Sequence, residues 1–208
     1  MLLGHMRVHA SLTALALLAL PSLALGQTYI TGKVIVAPNT KCDPTATHML
    51  ECTDVMLKSS AVTLSTWVGK TADLQGTLST TGTCNTIDVT SAANAAYSHT
   101  ITASNSYKLG SNVTFKGTCP FGGLVGIVLS GGPGFFAAST YGTLLIDPSV
   151  YVLFGPSSGL LGSYSLTLTI PNDPGLVGGK IWSQTAWISL IPTTDGKLVN
   201  AQCFTIVP

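Results

Sequence analysis

From Gln27 onward, no stretch of a dozen residues spaces its apolar side chains three and four apart, the pattern a helix needs to bury one face. Gly, Pro, Ser and Thr interrupt every candidate window. Alternation with a period of two recurs instead. In "YSLTLTI", Tyr164, Leu166, Leu168 and Ile170 share one face, and Ser165, Thr167 and Thr169 share the other. In "NVTFKGTC", Val113, Phe115, Gly117 and Cys119 oppose Thr114, Lys116 and Thr118. Both read as half-buried antiparallel strands, and the chain reads as all-β.

Turn residues divide the strands: Asn39, Gly69, Gly82, "SGGPG" at 130–134, "GPSSG" at 155–159, "PNDPG" at 171–175 and "TDG" at 194–196. Five strands are expected at 29–36, 49–58, 62–64, 71–77 and 84–90, a number that suits a small closed barrel in so short a unit. About eight more follow, enough for two packed sheets. The small, polar "TSAANAAYSHT" marks a seam. The expected organisation is therefore a barrel domain at 27–93 and an antiparallel β-sandwich domain at 97–208.

Residues 1–26 read as an export signal. Arg7, flanked by His5 and His9, precedes the apolar "SLTALALLALPSLALG", which is too short and too broken by proline to span a bilayer. Ala24-Leu25-Gly26 supplies small residues for cleavage before Gln27, and Met6 is as good a start as Met1. The expected destination is the periplasm, the cell surface or the medium, with no membrane span after cleavage. In the uncharged stretch 117–146 the longest apolar piece, "FGGLVGIVL", is again too short for a span and ends at a Gly-Gly-Pro turn.

Charged residues make up only 8% of the chain and the net charge is +1, which leaves no electrostatic footprint for nucleic acid. All five cysteines, Cys42, Cys52, Cys84, Cys119 and Cys203, follow Gln27. Export favours their oxidation. The expected pairs are Cys52–Cys84 and Cys119–Cys203, with Cys42 left over or competing with Cys84 for Cys52. Closing the loop between Cys119 and Cys203 would contribute roughly 4 kcal/mol in the chain-entropy account. A competing reading joins Cys42, His48, Cys52 and Cys84, with Asp43 and Glu51 nearby, in a tetrahedral zinc site, although their spacing matches no standard zinc motif.

Acid–base chemistry has few candidates. Past Gln27 the chain has one glutamate, Glu51, seven aspartates and two histidines, His48 and His99. No Gly-x-Ser-x-Gly elbow occurs, and His99 falls on the seam with no acid nearby in sequence. No phosphate-cradling loop and no cofactor motif is present in the sequence.

Residues 170–190, "IPNDPGLVGGKIWSQTAWISL", are the most distinctive segment. Pro171 and Pro174 stop a strand, and Asn172 and Asp173 are suited to cap the turn. Leu176 and Val177 are expected to anchor that turn. In the next strand Trp182, Gln184, Ala186, Ile188 and Leu190 share a face, with Ile181 and Trp187 opposite. Gln184 is expected to be buried with its amide bonded to backbone, since an unsatisfied amide costs roughly 1–3 kcal/mol. The segment reads as a core wall.

Two segments carry resemblances. In 48–93, Leu64, Trp67-Val68-Gly69-Lys70, Gly76, and Cys84 with Ile87-Asp88-Val89 follow the pattern of small OB-like barrels of exported bacterial proteins. Residues 107–207, with "IPNDP-x-L-x-G", an aromatic, a Gln and then "L-x-N-A", resemble a C-terminal module of secreted planctomycete-type proteins. That resemblance implies a β-sandwich and no catalytic activity. The functional expectation is a non-catalytic exported surface, envelope or matrix protein, with protein or glycan partners at the cell surface and self-association through sheet edges. The alternative is a glycan-binding module using the barrel, with Trp67 as the stacking residue. A hydrolase is the third reading.

Overall fold

The structure is a computed structural model that describes residues 27–39, 41–102, 106–137, 141–148, 162–189 and 195–208, with 151–159 as backbone. The expected signal segment 1–26 and Leu190 lie outside the described residues. The fold is all-β.

Five strands form a closed barrel: β1 (Thr28–Val36), β2 (His48–Leu50), β3 (Val55–Lys58), β4 (Thr71–Thr81) and β5 (Cys84–Asn94). Their order is β1-β2-β3-β5-β4, and β4 pairs back on β1 to close it. The pairing of β3 with β5 is parallel and the other pairings are antiparallel, which gives the partly Greek-key order of an OB-like barrel. Alternation fills the interior with Ile30, Val34, Leu50, Val55, Leu57, Leu74, Ile87 and Val89. Gly76 sits at the β4–β5 register shift, where a Cβ would come within 2.3 Å of the Asp88 carbonyl oxygen. Such a bulge lets a strand bend around a small barrel.

Two expected elements differ. The strand at 49–58 is broken by a turn at 51–54, in which Cys52 takes a φ of 59°. The strand at 62–64 is instead the 3-10 turn Leu64–Trp67, which tucks Leu64 into the barrel core.

The second half adds β6 (His99–Ile101), β7 (Ser106–Lys108), β8 (Asn112–Thr118), β9 (Gly123–Ser130), β10 (Pro133–Ala137), β11 (Thr143–Ile146), β12 (Tyr151–Gly159), β13 (Ser163–Thr169), β14 (Lys180–Ile188) and β15 (Gly196–Val207). They form a five-stranded sheet, β12-β9-β14-β15-β7, a three-stranded sheet, β13-β8-β6, and the hairpin β10–β11. The "GPSSG" read as a turn runs inside β12, where a register shift between Phe154 and Ser157 accommodates Pro156. One pairing, β7 with β15, is parallel, so the sandwich is not wholly antiparallel.

The two sheets enclose Val113, Phe115, Cys119, Val125, Ile127, Tyr164, Trp187, Phe204 and Ile206. The five-stranded sheet has a second covered face. Leu145 of the hairpin and Ala201 of β15 belong to the same buried cluster as the barrel interior, and Phe135 packs against it. Thr143 Oγ1 donates to the Tyr29 carbonyl oxygen at 2.7 Å, and Lys197 pairs with Asp73 at 2.6 Å. Barrel, hairpin and sheets therefore share buried surface across the seam.

Candidate functional site

The polar residues most suited to chemistry meet inside the sandwich. His99 begins β6 and lies wholly buried, at 0% exposure, between the two sheets. It is not a seam residue, as its sequence position implies. Its Nδ1 lies 2.8 Å from Tyr164 Oη and 2.9 Å from Thr185 Oγ1, and its Nε2 lies 2.9 Å from Ser183 Oγ. Tyr164 Oη and Thr185 Oγ1 are themselves 2.9 Å apart. Asn200 fixes the backbone: His99 N donates to Asn200 Oδ1 and Asn200 Nδ2 donates to the His99 carbonyl, both at 2.8 Å. Gly117 makes this packing possible, because a Cβ there would lie 2.4 Å from Tyr164 Oη and 2.1 Å from the Ser98 carbonyl oxygen.

Burial holds the His99 imidazole neutral, its pKa lowered to about 3, and pushes the Tyr164 phenol above its ordinary value. Ser183 beside His99 has the spacing of a nucleophile and its base. Both are at 0% exposure, however, and the groups on Nδ1 are hydroxyls where a triad needs an acid. Without access to substrate the network serves the packing of the two sheets.

Gln184 performs the same task on the opposite face of β14. It is fully buried, accepts from Leu145 N at 2.7 Å, and donates to the carbonyls of Val199 and Thr143 at 2.7 and 3.0 Å. The amide thus joins β14, β15 and β11, as the core-wall reading of the segment anticipates. Trp182 is partly buried with Lys180 Nζ 4.9 Å from its ring centroid. In the preceding turn Asp173 Oδ1 accepts from Gly175 N at 2.8 Å, while Asn172 is exposed. Leu176 packs on the sandwich core, but Val177 is left exposed at 41%; the turn is anchored instead by Gly178 N and Gly179 O bonding to Ile206.

The cysteines pair differently from expectation. Cys42 bonds Cys84, Cys52 bonds Cys203, and Cys119 is a buried free thiol whose pKa burial raises. The expected pairs Cys52–Cys84 and Cys119–Cys203 fail because Cys119 faces the sandwich core while Cys203 faces the barrel. The zinc alternative fails with them, since all three of its thiols are consumed in disulfides. His48 is only partly buried, its Nδ1 2.8 Å from Thr47 Oγ1 and its pKa lowered by burial.

The Cys42–Cys84 bond also alters the barrel's outer surface. OB-type barrels bind oligomers across strands two and three. Here the loop between β1 and β2 is clipped to the start of β5, and Ala46, Met56 and Cys84 form a buried cluster with Ala37 and Met49 packed on it. The chain's own loop covers part of that face. Trp67 packs against the barrel core, with Lys70 Nζ 5.6 Å from its ring centroid.

A cleft of about 490 Å³ opens along the seam between barrel and sandwich. Tyr29, Asp73 and Gln75 contribute from the barrel, and Tyr141, Trp187 and Lys197 from the other side. A second recess, of about 350 Å³, lies beside His48 and residues 59–65.

No protein-family model matches this chain, and no curated protein matches it in sequence. Among solved structures, the sporulation control protein Spo0M of Bacillus subtilis aligns over 54% of this chain and 49% of its own length, about half of it, at 12% identity and a TM-score of 0.31. A superoxide reductase (neelaredoxin) of Ignicoccus hospitalis aligns over 52% of this chain and 79% of its own, at 11% identity and a TM-score of 0.25.

Proposed function

We propose that this chain is a non-catalytic exported protein that serves as a surface, envelope or matrix component, released by cleavage after Gly26. The observation that carries this reading is the cystine Cys52–Cys203, which spans 151 residues and sews the last strand to the barrel. A bond of that kind suits an oxidising compartment. The sealed state of His99 and Ser183 supports the same conclusion, since this imidazole–hydroxyl pair is buried and occupied with packing. Among the described residues no helix is long and apolar enough to cross a membrane. The resemblance of 107–207 to a module of secreted proteins agrees with this role.

The test is fractionation of cells expressing the full chain, with mass spectrometry of the N-terminus and electron microscopy of the native protein. The proposal expects a product beginning at Gln27, outside the cytoplasm, in filaments, lattices or envelope-bound assemblies. A full-length cytoplasmic product with reduced thiols overturns it.

A further inference from the structure

We infer that β13 is a pairing edge for a second copy of this chain, the two β13 strands running antiparallel about a two-fold axis at Leu166. β13 and β6 bound the three-stranded sheet, and β12 and β7 bound the five-stranded one. An open edge presents unpaired N–H and C=O groups, and native proteins blunt it by shortness, proline, charge, a bulge or a cover. β6 and β7 have three residues each, and β7 carries Lys108. β12 holds Pro156 at a register shift. In the hairpin, β10 has Pro133 and a register shift, and Gln184 occupies the free side of β11. β13, "SYSLTLT", has seven residues with no charge, no proline and no glycine. Its register with β8 is unbroken from Ser163 to Thr169, and β8 is its one partner strand among the described residues. Among those residues it is the one edge strand with none of the protective devices.

The ladder fixes which groups that edge offers. Cys119 N donates to the Gly162 carbonyl at 3.0 Å and Ile170 N donates to the Ser111 carbonyl at 2.9 Å, one step beyond each end of the β8–β13 register. Antiparallel strands exchange bonds at every second pair. Tyr164, Leu166 and Leu168 therefore aim their backbone groups at β8. The other side of β8 agrees, since Thr118 N donates to the Ser98 carbonyl and the Thr114 carbonyl accepts from Thr102 N. Ser163, Ser165, Thr167 and Thr169 aim theirs at the open side, and all four residues are exposed. Rotation about Leu166 brings Ser165 opposite the second copy's Thr167, and Ser163 opposite the second copy's Thr169. These are the bonded pairs, so every outward N–H and C=O gains a partner. On the inner face Leu166 meets its own counterpart and Tyr164 meets Leu168, completing the cover of two leucines that are only partly buried. On the outer face hydroxyl meets hydroxyl. A strand that is its own complement on both faces selects a second copy, and the contact closes as a dimer. Charge does not oppose it. Lys116 is the one charged residue in β6, β8 and β13, and it would lie roughly 14 Å or more from its counterpart, three strand spacings away. That exceeds the screening length of about 8 Å.

This pairing goes beyond the structural role proposed above and does not depend on export, so either can fail without the other. The test is sedimentation equilibrium of the oxidised chain purified from cells that express the full sequence. A reversible dimer is expected, half dissociated at roughly micromolar concentration. Thr167→Pro removes an outward N–H and leaves every bond to β8 in place, a change that edge strands accept. It should weaken the dimer about tenfold or more, since the two-fold axis doubles the loss. Ser165→Lys combined with Thr167→Lys sets like charges opposite each other twice and should leave a monomer. Ser165→Glu combined with Thr167→Lys sets opposite charges across the same axis and should restore the dimer. Both charge variants should keep the circular dichroism of the parent, because these side chains are exposed. The inference is overturned if the parent is monomeric up to about 1 mM, even where it captures a strand of some other protein. It is overturned equally if a folded Thr167→Pro chain dimerises as the parent does, or if the two charge variants behave alike. Should Thr167→Pro fail to fold, the charge variants decide.

Discussion

His99 makes the stability of the fold depend on pH. Its folded pKa, about 3, lies below the ordinary histidine value of 6.5 because burial penalises the imidazolium. Between those values the unfolded chain binds a proton that the folded chain refuses, so stability rises with pH across that window. The contribution is complete above about pH 6.5 and is lost as the pH falls toward 3, on the order of 5 kcal/mol in all. Urea midpoints should therefore decline steadily from pH 7 to pH 4. The His99 ring resonances should show no titration in the folded state over the same range, and an imidazole titrating near pH 6.5 would contradict the burial. At this scale the sequence is legible in part. Gln184 could be read because a lone amide within an apolar strand has few other fates. His99 could not, since a histidine on a polar stretch looks solvated until β14 and β15 of the facing sheet are known to lie over it.

The hairpin β10–β11 is the element whose placement depends most on a single side chain. Gln184 satisfies one N–H and two carbonyls on three strands, and no other side chain among the described residues does this for β11. Gln184→Met keeps the length and removes the bonds. It should destabilise the protein by about 3 kcal/mol or more, because three buried backbone groups lose partners. Amide exchange at Leu145 should accelerate before exchange in the barrel strands does. Equal acceleration everywhere would mean that Gln184 does not act through β11. Strand alternation was readable, since Val113, Phe115 and Cys119 do share a buried face. The breaks were harder to see: a left-handed Cys52 gives no glycine-like signal, and Pro156 sits in a strand because a bulge spares it a ladder bond.

Over the whole molecule the seam is a buried interface more than a linker. Leu145 and Ala201 complete the barrel core, and Cys52–Cys203 locks β15 to the β2–β3 turn. In the chain-entropy account that cross-link contributes up to about 5 kcal/mol. The double variant Cys52→Ser, Cys203→Ser should lower the thermal midpoint by roughly 10 °C or more, measured by calorimetry under oxidising conditions. A shift of only a degree or two would show that the barrel and sandwich do not depend on the bond. The pairing was beyond the reach of sequence because it depends on which face of β15 each residue takes. A bulge between Gln184 and Ala186 in the β14–β15 pairing shifts the register, so simple alternation does not carry through.

The account rests on a chain stitched by oxidation, with its reactive groups sealed inside. The most direct test is peptide mapping of the native protein, alkylated before digestion and never reduced. Cys42 linked to Cys84, Cys52 linked to Cys203, and Cys119 recovered as a thiol protected until unfolding is the predicted result. Cys119 in a disulfide, or all five cysteines recovered as free thiols, would contradict it.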